Sequence, residues 1–127
     1  MEKKIVIVDD DEITLRILQK FLYDLGFVVF TAGDGEAAYD LVKNERPDFL
    51  ITDMLIPKIH GVELCKEIKA DPELSHTKVL LMTSVYLNVV TRRIEMRCGE
   101  DGFLKKPLNF NELKTLILSL ENPINNR

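Results

Sequence analysis

The chain has no tryptophan, only two cysteines and two histidines, and no apolar run long enough to span a membrane. Each shortage closes off a class of function. Cys65 and Cys98 stand apart, with neither CxxC spacing nor histidine neighbours, so they are expected to be reduced, packed thiols, which places the chain in the cytosol. A spanning helix needs about 20 apolar residues in succession. The run after the basic start MEKK covers only Ile5 to Val8 and ends in acid, so it does not read as a signal peptide. Positive charge is also in deficit. Seventeen Lys and Arg against 21 Asp and Glu leave a net charge of −4, which disfavours non-specific nucleic-acid or anionic-membrane binding as the main task. No repeat, linker or low-complexity segment breaks the chain.

What is there is ordinary globular material: 127 residues, 46% hydrophobic and 30% charged, enough for one domain with a sizeable core. That domain is expected over 1–121, with a polar tail over 122–127. Short apolar runs alternate with amphipathic stretches, a βα pattern repeated five times. The strand candidates are KIVIV (4–8), FVVFT (27–31), DFLIT (48–52), KVLLM (78–82) and GFLK (102–105). Several are apolar at successive positions, as parallel strands covered on both faces require.

Five helices are predicted between and after them. The first carries Ile17, Leu18, Phe21, Leu22 and Leu25 at helical spacing and stops at Gly26. The second runs from Glu36 to about Asn44, ahead of Pro47, and the third follows Gly61 and ends at Asp71-Pro72. The fourth, near 87–97, carries β-branched residues that weaken it as a helix. The last begins at Asn109, with Glu112 placed as in a capping box. Five βα units and right-handed crossovers predict an α/β, flavodoxin-like doubly wound fold: a five-stranded parallel sheet of order 2-1-3-4-5 flanked by five helices.

The stretch IVIVDDDE (5–12) poses a physical problem, because four strand-forming residues run directly into four carboxylates. Two carboxylates about 4 Å apart cost about 4 kcal/mol at an effective dielectric near 20. Either something offsets the repulsion or the acids splay into water. In a doubly wound sheet the strand carboxyl ends share one edge, and ligands bind there at the switch point between strands 1 and 3. Asp9, Asp10 and Asp11 follow strand 1, Asp53 follows strand 3, Thr83 and Ser84 follow strand 4, and Lys105, Lys106 and Pro107 follow strand 5. An acidic cluster without cysteine or a placed histidine is a hard-oxygen site, suited to Mg²⁺ or Mn²⁺. A divalent cation would offset the repulsion. A hydroxyl and an ammonium opposite it suit a transferring phosphoryl group, and one carboxylate suits the nucleophile.

The set VDDDE, DMLIPKIHG, MTS and KKP resembles the response-regulator receiver domain of two-component signalling, and the resemblance covers Lys4 to Leu120. It implies that Asp53 is the phosphoacceptor, Asp10 a direct metal ligand, Asp9 an acid acting through water, and Leu55 a ligand through its backbone carbonyl. It further implies that Thr83 contacts the phosphoryl group, Lys106 pairs with it, Phe103 is an aromatic switch, and Lys106-Pro107 is cis. A sensor histidine kinase or phosphotransfer protein would be the donor. An effector or output domain would read the face of the fourth helix, fifth strand and last helix, which could also form a homodimer. Such a domain is a cytoplasmic switch and not an enzyme beyond its own phosphoryl transfer and dephosphorylation.

Blander roles compete for single residues. Asp11 reads as the N-cap of the first helix, Glu12 as a solvated acid and His60 as an exposed non-ligand. Of the adjacent Lys105 and Lys106 only one can aim into the site. Arg92, Arg93 and Arg97 read as a solvated face. The chain also departs from the family pattern: Lys58 stands where Gly is common, His60 where Asp is common and Ser84 where Ala is common. Leu55 and Val85 are apolar where polar residues often position attacking water, which predicts slow self-dephosphorylation. Three other readings remain. One is a receiver-like interaction module that works without phosphorylation. Another is a haloacid-dehalogenase-type phosphatase, against which Ile13 stands at the threonine position. The last is a flavodoxin, whose phosphate three aspartates would repel.

Overall fold

A computed structural model describes residues 2–83 and 98–121. In chain order the elements are β1 (Lys3–Val8), α1 (Glu12–Asp24), β2 (Phe27–Ala32), α2 (Gly35–Glu45), β3 (Phe49–Asp53), α3 (Gly61–Ala70), β4 (Lys78–Thr83), β5 (Gly102–Lys105) and α4 (Phe110–Glu121). The fourth helix predicted over 87–97 and the tail over 122–127 lie outside the described residues. Among the described residues there are therefore four helices, and the predicted last helix is α4.

All strand pairs are parallel and their order is β2-β1-β3-β4-β5, as the sequence pattern predicts. Alternation along each strand separates two cores. Ile5, Ile7, Phe49, Ile51, Leu80, Met82 and Leu104 meet Leu18 and Leu22 of α1 and Leu113 and Ile117 of α4. Val6, Val8, Leu50, Val79 and Leu81 meet Ala38 and Val42 of α2 and Leu64, Cys65 and Ile68 of α3. That two-sided burial is why these strands read as unbroken apolar runs, and each fully buried aliphatic side chain contributes about 1.5–3 kcal/mol.

Local chemistry sets the helix ends. The Asp11 carboxylate accepts the Ile13 N–H at 3.2 Å and the Asp34 carboxylate accepts the Ala37 N–H at 2.8 Å, and Asn109 Oδ1 accepts the Glu112 N–H at 3.0 Å. These satisfy donors that have no partner inside the helix. Gly26 leaves α1 at φ +100, a conformation that disfavours any residue with a Cβ.

Ile17 departs from expectation. It is 52% exposed, because the buried stripe of α1 is centred on Leu18 and Leu22. With Ile13, one turn earlier and 68% exposed, it forms an apolar ridge on the outer flank. No helix among the described residues is long and apolar enough to cross a membrane.

Candidate functional site at the strand carboxyl ends

Register brings the polar strand ends together. Val8 pairs with Thr52, which sets Asp9 beside Asp53; Asp53 pairs with Met82, and Thr83 pairs with Lys105. Asp9 is almost fully buried, and Asp53 and Thr83 are also buried. Lys106, immediately after β5, turns its side chain between the two aspartates. Its ammonium donates to Asp53 Oδ2 at 2.6 Å and also to Asp9 Oδ2. The remaining oxygens are used as well: Asp9 Oδ1 accepts the Asp11 N–H and Asp53 Oδ1 accepts the Leu55 N–H, both at 2.9 Å. Each carboxylate is thus held at both oxygens.

The opening repulsion is resolved by two means. Asp9 is neutralised by Lys106, whereas Asp10 and Glu12 are exposed and Asp11 serves as the helix cap. Asp11 accepts from the Thr14 hydroxyl at 2.7 Å, and that bond, then the one from Ile13, holds its carboxyl below the usual range. Burial pulls the Lys106 ammonium toward deprotonation, but the hydrogen bonds it donates to Asp53 and Asp9 outweigh it and raise its pKa above the ordinary 10.5. Lys106 thus brings positive charge to the acidic edge.

The backbone of Lys106 is fixed too. Its N–H donates to the Thr83 carbonyl at 2.8 Å, tying β5 to β4 at the site, and Lys106-Pro107 is cis. Lys105 is exposed, so strand alternation selects Lys106 as the residue facing the aspartates. Phe103 on β5 pairs in register with Leu81, is half-buried and packs against the core beneath α2 and α3. His60 is exposed and precedes α3 without capping it through its side chain.

Sequence reasoning missed a second tier that fixes Asp53. The Met54 N–H donates to the Met82 carbonyl at 2.9 Å, and the Gly61 N–H donates to the Met54 carbonyl at 3.1 Å. A Cβ on Gly61 would lie 2.3 Å from the Asp53 carbonyl oxygen, so only glycine admits this approach. A Cβ on Gly35 would lie 2.1 Å from the Ile59 carbonyl oxygen. The loop after β3 is therefore pressed between the starts of α2 and α3. The local signal was a glycine at each helix start, but the contact that demands it is non-local.

Among the described residues, no group of three or more His, Cys, Asp or Glu side chains forms a ready ligand set. The donor types nevertheless suit a hard cation: the Asp9, Asp10 and Asp53 carboxylates and the Leu55 backbone carbonyl are all oxygen donors on one sheet edge. Beside them, Thr14, Ile17, Leu18, Lys106, Pro107, Leu108 and Phe110 line a cleft of about 550 Å³ between α1 and α4.

A family model, response regulator receiver domain, matches residues 5–118. A probable transcriptional regulator of Guillardia theta, ycf27, is 34% identical over 116 residues, 91% of this chain and 44% of that protein. The transcriptional regulatory protein CrdR of Helicobacter pylori is 35% identical over 117 residues, 92% of this chain and 54% of that protein. The chain thus spans about half the length of these curated relatives. Among solved structures, the chemotaxis response regulator CheY4 of Vibrio cholerae superposes with a TM-score of 0.80 at 28% identity, covering 96% of this chain and 98% of that one.

Proposed function

The chain belongs to the response regulator receiver domain family, and from that premise we propose that it is a phosphoacceptor switch of two-component signalling in which Asp53 takes the phosphoryl group. The observation that carries this reading is the single ammonium shared by Asp53 and Asp9 at the sheet edge. It holds one oxygen of Asp53 while the Leu55 N–H holds the other, so the carboxylate is oriented before a donor arrives. In the transfer, an Asp53 oxygen attacks phosphorus, the P–O bond forms, and the P–N bond to a donor phosphohistidine breaks. The electron pair returns to the imidazole.

The roles follow from charge and reach. Lys106 would leave its contact with the bare carboxylate and pair with the new phosphoryl dianion, and the Thr83 hydroxyl would donate to another of its oxygens. Asp10, Asp53 and the Leu55 backbone carbonyl would hold Mg²⁺ or Mn²⁺, with Asp9 in the outer sphere. When bound, the ion neutralises charge on the phosphoryl oxygens. Movement of Thr83 would open space for Phe103 and reshape the face formed by β5 and α4, biasing a two-state equilibrium; the fourth predicted helix, also expected there, lies outside the described residues. That face would meet an effector or output domain, or a second copy of the chain.

The donor would be a sensor histidine kinase or phosphotransfer protein. The exposed ridge of Ile13 and Ile17 supports docking there, since it offers apolar surface beside the cleft that Ile17 and Lys106 line. A cytoplasmic setting and domain limits of 1–121 belong to the same reading. So does the absence of turnover on any substrate other than the domain's own phosphoryl group. Borohydride reduction of protein treated with acetyl phosphate, followed by peptide mapping, tests it. A reduced residue at position 53 supports the acyl phosphate. Modification elsewhere, or none in folded protein, would favour the phosphorylation-independent module.

A further inference from the structure

Outside the acidic edge, the chain's two cysteines come together although 33 positions separate them. Cys65 lies on α3 and is fully buried; Cys98 lies in the turn before β5 and is 5% exposed. The Cys65 thiol donates to the Cys98 carbonyl oxygen at 3.4 Å. The Cys98 thiol lies 3.4 Å from Glu100 Oε1. Two isolated core cysteines, each packed as a small apolar residue, would need neither each other nor a carboxylate.

We propose that Cys65 and Cys98 form an oxidisable dithiol that hydrogen peroxide converts to an intramolecular disulfide, tethering α3 to the entry of β5. Cys98 is the attacking thiol. It is the more accessible of the two, and the neighbouring Cys65 thiol holds its pKa below the ordinary value although burial and the Glu100 carboxylate push the other way. The same pairing, then burial, pushes the Cys65 thiol up, which suits a resolving group that stays protonated until needed.

The sequence of steps balances. The Cys98 thiolate attacks one peroxide oxygen, the O–O bond breaks, and the departing hydroxide takes a proton to become water, leaving a sulfenic acid on Cys98. The Cys65 sulfur then attacks the Cys98 sulfur, the S–S bond forms and the S–O bond breaks. The second hydroxide leaves as water with the Cys65 proton. Two thiols lose two electrons and two protons, and one peroxide becomes two waters. Because Phe103 and Lys106 lie on or just after the tethered strand, the bridge would fix the strand that carries them.

Intact-protein mass tests this on the full chain, without depending on phosphorylation. Protein treated with hydrogen peroxide is quenched in acid, unfolded and alkylated with N-ethylmaleimide. The expected product has lost two hydrogens, takes no label, yields a peptide joining Cys65 to Cys98, and regains two labels after dithiothreitol. Cys65→Ser should stop at a dimedone-reactive Cys98, and Cys98→Ser should keep its remaining thiol labelled, with circular dichroism confirming that both fold. Two labels retained in the wild-type protein, oxygen adducts without a joined peptide, or a bridge between two chains would each overturn the proposal.

Discussion

Replacing Lys106 with methionine removes the one charge that separates two buried carboxylates while keeping most of the side-chain volume. The Asp9 side chain is 1% exposed and that of Asp53 10%, and both bond to the same ammonium. Removing one partner of a buried ion pair costs about 3–5 kcal/mol, because the other charge remains desolvated. The Lys106 side chain retains 16% exposure, so the lower end, about 3 kcal/mol, is the appropriate figure. With a urea dependence of about 1.5 kcal/mol per molar, the unfolding midpoint should fall by about 2 M. Adding Asp9→Asn to the variant should recover part of that loss, since one of the opposed charges is then gone. Magnesium chloride should recover part of it in the single variant, because the cation would replace the ammonium at the acidic edge. Equilibrium urea unfolding followed by circular dichroism reads all three. A midpoint for Lys106→Met within about 0.3 M of wild type would refute the argument that Lys106 offsets the carboxylate repulsion.

Three further outcomes follow from the same geometry. Gly61→Ala forces a Cβ against the Asp53 carbonyl, so stability should fall by about 1–3 kcal/mol in thermal or urea unfolding, and phosphoryl acceptance from acetyl phosphate should drop with it. Ile17→Asp alters a largely exposed position on α1; melting temperature and acetyl phosphate reactivity should hold, while transfer from a phosphohistidine protein should slow about thirtyfold, the loss of one hot-spot contact of about 2 kcal/mol. The folded state raises the pKa of Lys106, so its stabilisation is complete below the ordinary 10.5 and is lost as pH rises through the higher folded value. Urea midpoints of wild type and Lys106→Met should therefore differ at neutral pH and converge in the range above 10.5.

The strands were legible because their residues are apolar on both faces, a pattern that little else in a chain of this length produces. Once five βα units were recognised, the sheet order followed from the handedness of crossovers, and the order put Asp9, Asp53, Thr83 and the lysine pair on one edge. Finer choices needed three dimensions. Adjacent lysines cannot be told apart until the parity of β5 is set by its pairing with β4, which turns Lys106 toward the aspartates and leaves Lys105 exposed. Ile17 fits an apolar stripe as well as Leu18 does, and only the direction of the sheet decides between them. Gly61 looked like an ordinary helix start, because its constraint is the backbone of a residue eight positions earlier. Four consecutive acids implied that something must relieve their repulsion, but a local string of charges could not indicate that a lysine 97 positions away from Asp9 would do so.

The most direct measurement is intact-protein mass after incubation with acetyl phosphate, with and without Mg²⁺, beside Asp53→Asn. The account predicts a Mg²⁺-dependent gain of one phosphoryl group in the wild-type chain and none in the variant. A folded wild-type chain that gains nothing, or an Asp53→Asn chain that gains as much, would contradict it.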